Sequence, residues 1–336
     1  MASSFTMKRF YTLLALTLCC LHALAQNTVT VYSARNEPLI KPLFDRFTAE
    51  TGIVVRVLTD KEGALLARLK AEGGNTPADV LMTVDAGNLW QAANEGLLKP
   101  VTSAVLDARV PAHLRDPKGQ WFGLSVRART LVFNPKTVQR RELSTYEDLA
   151  QPQWKGKLCL RTSKKVYNQS LVAMLIEQHG EAKTEEIVRG WVNNLATDVF
   201  SDDTALLKAI AAGQCQVGIV NTYYLGRLMD QDKNFPVQLF WANQNAGGTH
   251  VNISGAGVTR YSKNEPQALK LIEFLLSDAA QKIYADENLE YPVNAKVLPD
   301  SIIKSWGEFK PNLIHVVKAG ELQATATRLM DRAGYR

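Results

Sequence analysis

The sequence predicts an α/β protein built as two lobes, and three observations carry that expectation. Short β-branched runs alternate with segments of helical period, the pattern of strands covered by helices in a mostly parallel sheet. The chain has 336 residues; about 310 remain once an N-terminal leader is set aside, more than a single core of ordinary size supports. Extended runs near 122–135 and 252–260 interrupt the alternation and suit crossover strands joining two lobes.

The first residues read as a secretory signal. Lys8 and Arg9 supply the positive region, Phe10 to Leu24 the apolar region, and Ala23-Leu24-Ala25 a small-x-small cleavage site, so residues 1–25 are expected to leave and the mature chain to begin near Gln26. The leader is too short for a membrane span, and no other stretch approaches the roughly 20 apolar residues a span needs, so the expected mature product is soluble and exported. Leu16-Thr17-Leu18 before Cys19 and Cys20 lacks the small residue expected beside a lipidated cysteine.

Thr28 to Ser33 reads as the first strand. Leu39, Ile40, Leu43, Phe44 and Phe47 then share one face of a helix over Glu37 to Thr51 that Gly52 closes. Val54 to Leu58 reads as a strand, Glu62 to Ala71 as a helix, Val80 to Val84 as a strand, and Ala86 to Glu95 as a helix ended by Gly96. After the run from Phe122 to Pro135 come a helix-like Thr145 to Ala150, a strand at Leu158 to Arg161, and helices at Asn168 to His179 and Glu185 to Asn194. Leu206 to Ala212 reads as a helix before Gly213, Val217 to Val220 as a buried strand, Asn252 to Arg260 as a return strand, and Gln267 to Asp278 and Ala279 to Asp286 as helices.

The net charge of +6 falls to +4 once Lys8 and Arg9 leave, and the charges are interspersed, which gives no nucleic-acid footprint. Two cysteines survive processing, Cys159 and Cys215; a disulfide and a pair of buried thiols both remain open. There is no Gly-x-Ser-x-Gly elbow, phosphate-cradling glycine loop or His-Glu-x-x-His helix, so no enzyme is expected.

The chemistry gathers on tyrosines. Tyr223 and Tyr224 follow the strand Val217 to Val220 at its C-terminal end, where open α/β folds bind ligands and where a loop is expected, and Tyr167 opens Tyr-Asn-Gln-Ser. Phenolate is a hard anionic donor, so converging tyrosines suit a hard, highly charged cation such as Fe(III) that displaces their protons. Ring packing with a satisfied hydroxyl is the plain alternative for such a pair.

With Tyr-Ser-Ala-Arg at 32–35, Pro77-Ala78-Asp79-Val80, Tyr167-Asn168-Gln169-Ser170, Asn221-Thr222-Tyr223-Tyr224 and Glu290-Tyr291-Pro292-Val293-Asn294 in order, the mature chain resembles the periplasmic ferric-ion-binding proteins of bacterial iron ABC transporters. The resemblance implies a type II periplasmic-binding-protein fold, two α/β lobes joined by two crossover strands with a hinge. It implies lobes at 26–126 plus 251–302 and 127–250 plus 303–336, and an inner-membrane ABC permease as partner. It implies Tyr167, Tyr223 and Tyr224 as iron ligands, and Arg127 or Arg129 as the holder of a synergistic anion such as carbonate.

The chain departs from relatives that carry a histidine after the first strand, since Arg35-Asn36-Glu37 stands there. Glu37 or Asp85 is then the fallback oxygen donor, although a helix cap is the plainer reading of Asn36 and Glu37, and a cap for the helix at Ala86 that of Asp85. Thr162 and Ser163 could meet an anion or cap a helix, Tyr32 reads as packing, and His113, His179, His250 and His315 show no metal spacing. A small-anion-binding protein on the same fold is the competing reading, because the fold alone does not choose its ligand.

Overall fold

The structure, a computed structural model, describes residues 27–294 and 296–336. The expected leader and its cleavage site lie outside the described residues.

Thr28–Ser33 (β1) leads into the helix Glu37–Thr51, which turns Ile40, Leu43, Phe44 and Phe47 into the core. It stops at Gly52, whose φ of 70° lies in the left-handed region that glycine reaches without a Cβ clash and whose amide donates to Thr48 O. Val54–Thr59 (β2) returns parallel to β1, and Val80–Thr83 (β3) lies parallel along its other edge. This is the expected βαβ start, and its strands share a core with the helices Ala86–Asn94, Glu265–Leu275 and Asp278–Asn288.

Phe122–Phe133 (β4) is one 12-residue strand that serves both lobes. Its first part pairs antiparallel with Val251–Val258 (β8), up to Ala128↔Val251; its second pairs antiparallel with Val217–Asn221 (β6), from Arg129↔Asn221 onward. Leu158–Cys159 (β5) lies parallel to β6, while Gln238–Phe240 (β7) and Tyr291–Pro292 (β9) add to β4. The order is β2-β1-β3-β8-β4-β6-β5. The sheet is therefore mixed rather than mostly parallel. Each lobe keeps its parallel βαβ pairing, but a chain that crosses out on β4 and returns on β8 must run those two strands in opposite senses.

Separate cores flank the crossover. One gathers Val29 to Leu124 with Ile253 to Val293; the other is built around Leu131, Phe133, Leu171 to Ile176, Trp191, Val217 and Ile219. The sequence places residues 303–336 in the second lobe but shows no helix or strand pattern there. The helices Ser301–Ser305 and Lys318–Glu321 are too short to show a period, and Gln323–Arg332 packs Ala326, Leu329 and Met330 into the second core. Lys318–Glu321 packs against helices of both lobes, and Gly320 lies so close to Trp90 that a Cβ there would meet the indole at 2.5 Å.

Three local expectations change. The helix with Tyr167 spans Val166–His179, two residues earlier than read, so Tyr167 is in its first turn. Tyr223 and Tyr224 do not sit on a loop: β6 passes directly into the helix Thr222–Gln231, and both are in its first turn. Thr145 to Ala150 is a single 3₁₀ turn, Glu147–Ala150. Cys159 and Cys215 are disulfide-bonded with Cα atoms 5.9 Å apart, tying β5 to the residues entering β6. No helix among the described residues is long and apolar enough to cross a membrane.

Candidate functional site

A cavity of about 420 Å³ opens between the lobes. Tyr167, Tyr223 and Tyr224 line it from the second lobe, and Arg35, Asn36, Asp60 and Lys61 from the first. Two helix starts deliver the tyrosines. The Val166–His179 helix brings Tyr167 to the cavity, and the Thr222–Gln231 helix brings the pair, whose rings lie 4.4 Å apart at 36°.

Arg127 joins Tyr167 and Tyr223. Near the middle of β4, it donates from Nη2 to Tyr223 Oη at 2.9 Å and from Nη1 to Tyr167 Oη at 3.4 Å, while Nη1 also reaches Val84 O at 2.6 Å. Its Nε lies 3.5 Å from Glu290 Oε1. Burial alone pushes a phenol up, but Arg127, Lys165 and a hydrogen bond with Tyr223 outweigh it and hold Tyr167 below the ordinary tyrosine value. Tyr223 goes the other way: burial raises it well above the ordinary value against the pull of Arg127, and the neighbouring phenols add to the rise.

Arg129 does not line this cavity. It is 1% exposed, and its donors are spent on Asp203, Asn168, Asn221 and the Ile219 carbonyl, at 2.9 to 3.5 Å. The two arginines share a strand face by alternation, but only Arg127 opens on the tyrosines.

The fallback donors of the first lobe are also placed. Glu37 is exposed in the first turn of its helix and does not line the cavity. Asp85 is fully buried and caps the Ala86–Asn94 helix through Gly87 N at 2.8 Å, as its position before the helix suggested. Burial pushes its carboxyl up to about 6, against the donors around it. The first-lobe carboxylates that do line the cavity are Asp60 and Glu62, which sequence reasoning missed because nothing in a loop-to-helix junction marks a cleft wall. Glu62 faces Lys165 across the mouth at 3.9 Å.

Asn36 holds the N-cap position of its helix without a side-chain cap bond. Thr162 and Ser163 are not anion donors through their amides, which go to Phe200 O and Arg336 O, and the N-cap position of the Tyr167 helix is Lys165. Tyr32 packs as read, with its hydroxyl on Glu72. His250 is buried and held down to about 3 by burial and then by Arg129. Among the described residues there is no group of three or more His, Cys, Asp or Glu that could hold a metal ion.

Glu290, the first residue of the Glu-Tyr-Pro-Val-Asn motif, is a functional residue that its motif alone does not explain. It is 1% exposed and receives Arg35 from both guanidinium nitrogens at 3.1 Å and the Ser125 hydroxyl. Against the cost of burial, Arg35 and then Arg127 hold its carboxyl down to about 2. The ion pair fixes Arg127 from behind while the tyrosines meet it from the front.

The profile of the family described as bacterial extracellular solute-binding protein matches residues 75–306. Iron uptake protein A1 of Synechocystis sp. is 43% identical over 319 residues, 93% of this chain and 88% of that protein. The Fe(3+)-binding periplasmic protein of Serratia marcescens is 30% identical over 290 residues, 82% and 84% of the two chains. Among solved structures, a Trichodesmium protein in complex with iron and citrate ligands superposes with a TM-score of 0.88 at 46% identity, over 92% of this chain and all of that one. With the two lobes, the crossover strands and a matched span of this length, the chain belongs to the family of bacterial extracellular solute-binding proteins.

Proposed function

We propose that this protein captures Fe(III) in the cleft between its lobes through Tyr167, Tyr223 and Tyr224 and hands it to an inner-membrane ABC permease. The observation that carries the reading is the convergence of three phenols on one cavity, with the buried Arg127 guanidinium donating to two of them and Arg161 over the rings of Tyr167 and Tyr224. Three phenolates neutralise Fe(III), and three hard oxygen donors suit a cation of that charge. Arg127, with its paired donors aimed into the site, is the residue that would hold a synergistic anion such as carbonate. Arg129 has no free donor for that role. The relatives named for iron uptake and Fe(3+) binding support the same ligand and a periplasmic binding protein; its reading as a monomer and not an enzyme belongs to the same proposal.

The proposed lobes are 26–126 plus 251–302 and 127–250 plus 303–336, supported by two cores that meet at β4 and β8. The switch at Ala128 and Arg129 in β4 pairing lies within two residues of that boundary.

The test is a Tyr223→Phe, Tyr224→Phe double variant titrated with ferric ion. Phe keeps ring packing and removes the donor oxygens, so circular dichroism should be unchanged while the tyrosinate-to-iron colour and the affinity collapse. Full colour in the double variant would refute the ligand assignment. A small-anion protein on this fold would instead bind its anion equally well in the variant and show no iron colour in the wild type.

A further inference from the structure

The helix that presents Tyr167 also makes a contact the iron site does not use. One turn along, Ser170 is 1% exposed and its hydroxyl lies 2.9 Å from both oxygens of Asp85. Asp85 belongs to the first lobe, between β3 and the Ala86–Asn94 helix, whereas Ser170 belongs to the second. The carboxylate has two other donors, Gly87 N at 2.8 Å from its own helix and Asn252 Nδ2 at 2.8 Å from β8. Asn252 is itself fixed by accepting from Ala86 N at 3.0 Å and Ile253 N at 2.7 Å.

Gly87 already satisfies the cap, and Asn252 ties Asp85 to the crossover strand. The Ser170 bond is therefore needed for neither, and it is the one donor to Asp85 whose presence depends on how the lobes are set. A buried carboxylate with few donors gains more from each than an exposed one does. Beside the crossover strands the lever arm is short, so a shift of a hydrogen-bond length there becomes a wider opening at the mouth, where Lys165 faces Glu62.

We propose that Ser170 is a positioning residue whose hydroxyl pins the Tyr167 helix to Asp85 and holds the lobes near their closed setting before ligand arrives. The pin keeps Tyr167 in register with Arg127, so part of the closure cost is met before iron binds. The effect on iron rests on the reading of the cleft as a ferric site, but the effect on lobe setting does not.

The experiment is small-angle X-ray scattering of the ligand-free wild type, Ser170→Ala and Ser170→Cys, with ferric titration followed by colour. Cysteine keeps the volume while weakening the donor, and a thermal melt checks that both variants fold. Both variants should give a larger radius of gyration than wild type without ligand and the wild-type radius with iron. Their affinity should fall about tenfold, with the absorption maximum unmoved because the ligands are intact. Ligand-free profiles that superimpose on wild type would overturn the proposal, whatever the affinities. If wild type took up no ferric ion, the ferric reading would fall while the scattering comparison still decided the pin.

Discussion

Removing the charge of Glu290 tests whether the site is held from behind. In Glu290→Gln the side chain keeps its shape, but Arg35 and Arg127 lose their buried counter-charge. The carboxyl moves from an ordinary 4.5 to about 2 in the folded protein. At about 1.4 kcal/mol per pH unit, that displacement makes the ionised group worth about 3 kcal/mol to the folded state. The group is fully buried, so solvent screening does not reduce the figure, and breaking a buried pair at one partner costs about as much. Its folded pKa is depressed, so the contribution is complete above about pH 4.5 and fades as pH falls toward 2. Urea unfolding of wild type and Glu290→Gln, read by circular dichroism and tryptophan fluorescence together, should differ by about 3 kcal/mol at neutral pH. The difference should shrink steadily below about pH 4.5. A gap under about 1 kcal/mol at neutral pH, or one that stayed constant into acid, would refute the reasoning.

Four further outcomes follow from the site and from the disulfide. Ligation displaces phenol protons, so acidification should bleach the iron colour before circular dichroism changes; coincident loss at every pH would speak against release by ligand protonation. Arg127→Gln should weaken iron binding and abolish its response to added bicarbonate. Arg129→Gln should leave that response intact while lowering stability by up to about 3 kcal/mol, because Asp203 loses the nearer of its two buried arginines and keeps Arg161. Reducing the Cys159–Cys215 bond, which closes a separation of 56 residues, should lower stability by about 2–4 kcal/mol in denaturant titrations, and an unchanged midpoint in dithiothreitol would argue against it.

Much was legible because it is local. β1, the helix ending at Gly52 and the strand before Tyr223 show themselves through period, caps and β-branched runs, which depend only on neighbours along the chain. The tyrosine set was legible as chemistry, since three phenols before or after predicted strands and helices are unusual donors whatever their placement. The start of the Tyr167 helix was misjudged by two residues, because Val166 and Tyr167 carry no capping side chain in front of them.

What the chain alone determined, then, is the alternation of elements, the presence of hard oxygen donors and the export signal's composition. Tertiary structure decided the rest. It set Arg127 against the tyrosines and turned Arg129, two positions along the same strand face, away from them onto Asp203, Asn168 and Asn221. It excluded Glu37 from the cavity and put Asp60 and Glu62 there, and it turned Glu290, one residue in a motif, into the counter-charge of the site. Those assignments depend on contacts across 40 to 255 residues of sequence, such as Arg127 with Tyr167 and Arg35 with Glu290. Charge and hydrogen-bond partners at that range are set by the crossing of β4 and β8, and no local pattern encodes them.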